Sequence, residues 1–230
     1  MLIDLDPQAS LSYSLGFRNE GVAPTIADVL LNKESIHDVI RKANQENLYL
    51  CPSDIRLLGL NQDAKALKEA GQVFTESLKS IRRKNSYVLI DCPPALTGLS
   101  VMALRAANYY MVPSVVTPMS TEALTIFLDH IAKAKKSFGS RTKLVGIVLT
   151  MVNPYLRLTI DTLKSIRRTF KKDVFNAVIR QTVRLAESSA YGESIFEYAP
   201  HSLGADSYNR LCKEFLKRTR TSPLPSTLSK

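Results

Sequence analysis

The run Leu144-Val145-Gly146-Ile147-Val148-Leu149 carries no polar side chain. A strand with one wet face alternates apolar and polar residues. A run like this one must be covered on both faces, as in a parallel sheet between two layers of helices. Five further short β-rich runs occupy residues 2–5, 48–50, 87–90, 110–116 and 174–179. The fourth contains Pro113, which has no N–H to give a central ladder and predicts an interrupted or edge-like strand. Between the runs, apolar residues recur every three or four positions. One set is Ala66, Ala70, Phe74, Leu78 and Ile81, and a second is Leu124, Phe127, Leu128 and Ile131. Leu158, Leu163, Ile166 and Phe170 form a third, and Leu211 and Phe215 a fourth. That spacing gives each helix one buried stripe. Strands alternating with helices predict an α/β fold, a doubly wound and mostly parallel sheet flanked by helices.

A chain of 230 residues is long enough for one such domain with a sizeable core. No apolar run approaches the roughly 20 residues needed to cross a bilayer. No basic-then-apolar leader precedes a cleavage site, so a cytoplasmic location is expected. Cys51, Cys92 and Cys212 are too few and too scattered for a zinc ribbon or a disulfide framework and read as reduced packing residues. The charge balance says more. Lys and Arg number 31 against 21 Asp and Glu, a formal net charge of +10. Such a field fits a polyanionic partner, nucleic acid or an acidic membrane surface, although solubility alone would also account for it. The end of the chain, "KRTRTSPLPSTLSK" from Lys217, is basic and rich in Pro and Ser. Residues 219–230 therefore read as a flexible basic tail beyond a domain of residues 1–218.

The segment "MLIDLDPQAS" places Asp4 and Asp6 at the end of the first apolar run, and "YVLIDCPPALTG" places Asp91 at the end of another. Open parallel sheets bind ligands beyond the carboxyl ends of their strands. Aspartates there are well placed to hold Mg²⁺ through water on a nucleotide phosphate. A lone Asp at any of these positions would serve as a helix cap or turn residue. Three at strand ends of one sheet point to a site. Pro93 and Pro94 stop the strand and turn the chain away.

These residues carry a resemblance. "LIDLDPQASLSYSLG" resembles the second signature of the ParA/Soj partition ATPases, the deviant-Walker branch of the P-loop proteins, and "VLIDCPPAL" resembles their Walker B segment. "NLYLCPSDIRLLGL", "VPSVVTPMSTEAL", "GIVLTMVNP" and "VIRQTVRLAESSAYGESIFEYAPHSLGADSY" follow in the family's order, so the match runs from Met1 to about residue 218. The resemblance implies ATP and Mg as cofactors, an ATP-dependent sandwich dimer, sequence-independent binding to nucleoid DNA, and release by a ParB-like partner that stimulates hydrolysis. It implies that Asp6 positions the attacking water and that Asp4 and Asp91 support Mg²⁺, chiefly through waters. Pro93 and Pro94 would shape the loop that senses the γ-phosphate. Met151 and the loop from Ile179 to Gln181 would border the adenine, and Arg184 would contact DNA.

There are departures. A second DNA-binding arginine of the family falls near Tyr155, and the nearest candidate is Arg157. The usual Pro-Arg-Asn before V-R-L is replaced by Arg180-Gln181-Thr182. The cluster Arg167, Arg168, Lys171 and Lys172 reads equally as a DNA surface or a solvated helix face. The family's Gly-Lys-Thr phosphate loop precedes D-L-D-P, yet none of the nine glycines here is followed by lysine. The expectation is that the loop, with its strand and helix, lies upstream of Met1. A nucleotide-free DNA-binding relative and a strand supplied by another chain are the alternatives. Without the loop, the 230 residues as written are expected to show no appreciable ATPase activity. A membrane-cycling relative of the MinD type fits less well. The stretch around Leu211 and Phe215 is expected to pack on the domain, and the proline-bearing tail suits membrane insertion poorly.

Overall fold

The computed structural model describes residues 1–17, 22–82 and 87–220. The chain divides into two compact units, Met1–Ala106 with Ser189–Ser194, and Ala107–Ser188 with the chain from Ile195 onward. The first unit holds β1 (Leu2–Asp4), α1 (Ser10–Ser14), α2 (Ile26–Leu30), α3 (Ile36–Val39), β2 (Arg41–Lys42), β3 (Tyr49–Cys51), α4 (Leu57–Gln62), α5 (Ala64–Arg82), β4 (Leu89–Asp91) and α6 (Gly98–Ala106). The second holds β5 (Tyr109–Val115), α7 (Ser120–Phe138), β6 (Lys143–Val152), α8 (Arg157–Phe170), a 3₁₀ turn (Lys171–Asp173), β7 (Val174–Arg180), α10 (Ile195–Tyr198) and α11 (Leu203–Arg220). Helix α9 (Val183–Tyr191) begins in the second unit and ends in the first.

Among the described residues, the strands form two mostly parallel sheets flanked by helices, within the α/β class expected. The first unit has the order β2-β3-β1-β4, with β1 parallel to both β3 and β4 and only β2 antiparallel. The second has the all-parallel order β5-β6-β7. Among the described residues, β4 pairs with β1 alone and β5 with β6 alone, so each sheet keeps an open parallel edge. Leu89 is half exposed on the first edge, and Met111 and Val115 are exposed on the second. Pro113 lies in β5, at an edge where a missing N–H is tolerated.

Each unit builds its own core. In the first, Ile3 and Leu5 of the β1 segment pack with Ile26, Phe74 and Leu99 from the helices, all fully buried. The stripe expected on α5 is real, with Ala70, Phe74 and Ile81 inside. In the second unit, β6 and β7 bury Val148, Phe175 and Ile179 against Leu211 and Phe215 of α11. The stripe expected on α8 holds at Leu163, Ile166 and Phe170, which are buried or half-buried, and fails at Leu158. Thr159, Thr162 and Ile166 face inward while Leu158 points to solvent, because the helix starts at Arg157 and its first apolar residue falls off the buried face. The terminal segment is more ordered than its composition suggests, since α11 runs through Arg220; residues 221–230 lie outside the described residues. Cys51 is buried and Cys92 half-buried, but Cys212 is exposed and packs no core.

Edge strand β7 is closed by α11. Glu214 accepts the backbone N–H groups of Asn176 and Ala177 at 3.0 and 2.9 Å. Arg218 pairs with Glu214 at 2.7 Å, donates to the carbonyls of Val145 and Val174, and stacks over the Phe175 ring 4.1 Å from its centroid. Gly146 makes room for this, because a Cβ there would stand 2.6 Å from the Arg218 guanidinium and 2.7 Å from Phe175. Burial alone would raise the Glu214 carboxyl, but the two amides and Arg218 outweigh it and hold the carboxyl below its ordinary value. Arg218→Ala removes donors from part-buried carbonyls and leaves Glu214 without its cation. We expect a loss of about 2–4 kcal/mol in urea unfolding, with no change in secondary-structure content.

Candidate functional site

The acidic site is organised around Asp4, the last residue of β1 and fully buried. Its Oδ1 accepts the Asp6 N–H at 3.0 Å, and its Oδ2 accepts the Ser12 N–H at 2.9 Å and the Ser12 hydroxyl at 2.7 Å. Burial raises the Asp4 pKa above its ordinary value, and the Ser12 and Asp6 donors offset only part of that rise. Ser53, in the turn after β3, completes the cage. Its N–H donates to the Ser12 oxygen at 3.1 Å, and its hydroxyl donates to the Asp6 carbonyl at 2.6 Å. Asp6 stands at the rim of this arrangement, and its Oδ1 accepts the Gln8 N–H at 2.9 Å.

The Ser53 turn is itself anchored. Arg56 bridges Asp28 at 2.6 Å and Asp54 at 2.7 Å. Asp28 and Thr25 form a capping box at the start of α2, and the Thr25 hydroxyl also donates to Asp54. The hydrogen bond from Arg56 outweighs burial and keeps the Asp28 carboxyl below its ordinary value. The turn is therefore fixed from both sides.

Asp91 ends β4 directly opposite Asp4 in the parallel register, and its carbonyl accepts the Leu5 N–H at 2.8 Å. Its carboxyl is pushed up to about 6, first by desolvation and then by the negative charges of Asp4 and Asp6. The residue is open to solvent, so water offsets much of the burial cost and charge repulsion is the more durable cause. Pro93 and Pro94 follow at once, and the Ser100 hydroxyl at the start of α6 holds the Ala95 carbonyl at 2.8 Å. Burial pushes the Cys92 thiol up to about 12, which makes it a poor nucleophile.

In the second unit, Met151, Ile179 and Gln181 come together around a cavity of about 210 Å³ at the carboxyl ends of β6 and β7, with Leu185 and Tyr208 on its wall. Met151 sits at φ 53, a left-handed conformation unusual for its residue type, and is half exposed. The Gln181 N–H donates to the Val152 carbonyl at 3.1 Å and ties the two loops together. Arg184, in the first turn of α9, is exposed and paired with Glu187 at 3.0 Å. Arg157 opens α8 and is 97% exposed, with Asp161 3.9 Å away. The basic cluster divides. Arg167 donates to the carbonyls of Phe175 and Asn176 and is committed to β7, whereas Arg168, Lys171 and Lys172 are exposed.

A sequence profile of the AAA_31 family, described as an AAA domain, matches residues 1–144. The chromosome partitioning protein ParA of Caulobacter vibrioides is 31% identical over 222 residues, covering 96% of this chain and 83% of that protein. The chain belongs to the ParA/Soj family. Soj of Bacillus subtilis, a sporulation initiation inhibitor, is 28% identical over 93% of this chain and 85% of its own length. The fold also matches cobyrinic acid a,c-diamide synthase of Mycobacterium smegmatis with bound ADP and magnesium, at a TM-score of 0.79 and 22% identity, covering 97% of this chain and 83% of that one.

For a ParA/Soj chain, the donor set in the first unit fits a cation in outer-sphere fashion. Asp4 is turned inward onto its own three donors, so Asp6 and Asp91 are the carboxylates left facing outward, and the repulsion on Asp91 is of the kind a cation relieves. Among the described residues, no group of three or more His, Cys, Asp or Glu converges to cage a metal directly. Sequence reasoning missed Ser12, Ser53, Leu185 and Tyr208 as individual residues, although each falls within a segment that carried the resemblance. Ser53 alone had a local signal, the Pro-Ser turn after a strand. Tyr208 arrives from α11, and no local pattern connects it with Met151.

Two measurements follow from this geometry. Ser12→Ala removes one Asp4 donor and the partner of the Ser53 amide, and should cost about 2–3 kcal/mol in chemical denaturation. Asp91 has an unfolded-state value of 3.8 and a folded value of about 6, so the native state binds more protons between those limits. Charging Asp91 therefore lowers stability as pH rises through that window. Asp91→Asn should raise the urea midpoint relative to the parent at pH 7.5, leave it level near pH 4, and lose part of its advantage when Mg²⁺ is added.

Proposed function

We propose that this protein is a partition ATPase of the ParA type. It binds ATP with Mg²⁺, dimerises with nucleotide, coats DNA without sequence preference, and leaves DNA when a ParB-like partner stimulates hydrolysis. The observation that carries the DNA part is the placement of charge. The residues of the first unit include 12 Lys and Arg against 13 Asp and Glu, a balance of −1. Those of the second include 19 against 8, a balance of +11. The whole basic excess thus belongs to the unit that carries Arg157 and Arg184. Binding through phosphates alone needs such a field and no base-reading elements.

The nucleotide part is supported by family membership and by the acids at the strand ends of the first unit. Asp6 would position the attacking water, and Asp91 would hold Mg²⁺ through water. Asp4 would act mainly by fixing the Asp6 turn. Pro93 and Pro94 would shape the loop that answers to the γ-phosphate. The cavity beside Met151, Ile179 and Gln181 suits a planar, largely apolar ring such as adenine. ATP would supply the phosphoryl group whose transfer is driven by positioning and charge stabilisation. A second reading is a DNA-binding relative that does not turn over nucleotide, for which the charge of the second unit would serve equally.

Fluorescence anisotropy with a random-sequence duplex, titrated between 50 and 200 mM salt with and without Mg-ATP, separates the readings. Binding should be insensitive to sequence and fall steeply with salt. Arg184→Ala should weaken it and flatten the log–log salt slope by about one. Under the ATPase reading, ATP strengthens binding, and Asp6→Ala keeps nucleotide binding but loses hydrolysis. Nucleotide-independent binding without partner-stimulated turnover selects the second reading. Base-specific binding, or no binding at all, overturns both.

A further inference from the structure

We propose that Glu187 is a built-in counter-charge that weakens the hold of Arg184 on DNA phosphates and so speeds release; this rests on the DNA reading above. The Arg184 guanidinium meets Glu187 Oε2 at 3.0 Å across one turn of α9. The same oxygen accepts the Tyr198 hydroxyl of α10 at 3.1 Å. The carboxylate is thus tied from a second helix and cannot simply swing aside when a phosphate approaches. Arg184 must then either share its donors with the carboxylate or exchange one anion for another.

Both routes reduce the gain from contact. A cation already paired with a carboxylate holds less of the local anion excess that phosphate would replace. Its charge, already offset by the carboxylate, also neutralises less of the phosphate, so fewer of the cations condensed on DNA are released than by a free cation. Arg157 provides the contrast within the same unit. Its acid, Asp161, stands 3.9 Å away, with Arg157 97% and Asp161 59% exposed in their side chains, so its grip on phosphate is close to that of an open arginine. The two candidate DNA arginines are thus unequal, one braked and one open. Exposed ion pairs are weak enough to be exchanged at room temperature, so the brake lowers affinity without abolishing it. A protein that must coat DNA and then leave it gains speed from such a contact, because changes of this kind act mainly on dissociation.

The test uses the full chain and the same duplex. Glu187→Gln keeps the side-chain size and an acceptor for Tyr198 while removing the charge. Asp161→Asn raises the charge of the same unit by the same amount and controls for net charge. Glu187→Gln should tighten binding about three- to fivefold, chiefly through slower dissociation, and steepen the salt slope by a fraction of the roughly one unit that a fully open arginine contributes. Asp161→Asn should give less than half of that tightening. In an Arg184→Ala background, Glu187→Gln should do no more than Asp161→Asn. Equal effects of the two single variants, a weakened Glu187→Gln protein, or an undiminished effect without Arg184 would each overturn the proposal. Failure of Arg184→Ala to weaken DNA binding is a separate result. It removes the DNA surface itself, and the brake with it.

Discussion

Much of the first unit depends on one buried carboxylate. Asp4 ends β1 with no solvent contact, and a charge there is tolerable only when its oxygens are filled by donors. Two of the three donors come from Ser12 and one from the backbone of Asp6. The chain between β1 and α1 must therefore curl back onto the residue it has just left. That curl fixes Asp6 at the rim, and Ser53 locks it by taking the Asp6 carbonyl. Ser53 is held in turn by a segment whose next residue, Asp54, shares Arg56 with the start of α2. An acid expected to support Mg²⁺ through water is thus also the fastening of a loop.

The same competition between burial and pairing sorts the rest of the polar residues. Asp91, opposite Asp4 in register, has no comparable set of donors and remains at the open edge of β4, where repulsion from its neighbours raises its pKa. Glu214 is pulled the other way by two amides and an arginine. Carboxylates with filled oxygens hold structure together. The one without such donors is the one whose pKa its charged neighbours help to raise.

Much of the architecture is legible in the sequence because it rests on local pattern. The apolar run at residues 144–149 becomes the buried middle of β6, and the α5 stripe falls where its spacing puts it. The failures have physical causes. Leu158 continues an apolar period, but the inward face of α8 carries Thr159, Thr162 and Ile166, and Leu158 lies beside that face. The acids of the site are visible because they end apolar runs. Ser12, Ser53 and Tyr208 are not, because what each does depends on residues that the fold brings up from elsewhere: Ser12 links Asp4 to the Ser53 amide, and Tyr208 reaches the Met151 cavity from α11.

Net charge by itself overstates what a polyanion can use. Arg218 and Glu214 are only 21% and 17% exposed in their side chains, and their pairing closes a strand edge, so this cation is structural. Arg56 is 42% exposed but bridges two aspartates that fix a loop, so it too is committed. Arg184 and Glu187, at 56% and 40%, form a contact that solvent and salt can reach, so the arginine is available against competition. Arg157, almost wholly exposed, is available outright. The sequence spacing of acid and arginine is nearly the same in the Arg157, Arg184 and Arg218 pairs, at three or four residues along a helix. Burial, which spacing does not reveal, decides whether such a pair is a structural clasp or a contact open to solvent.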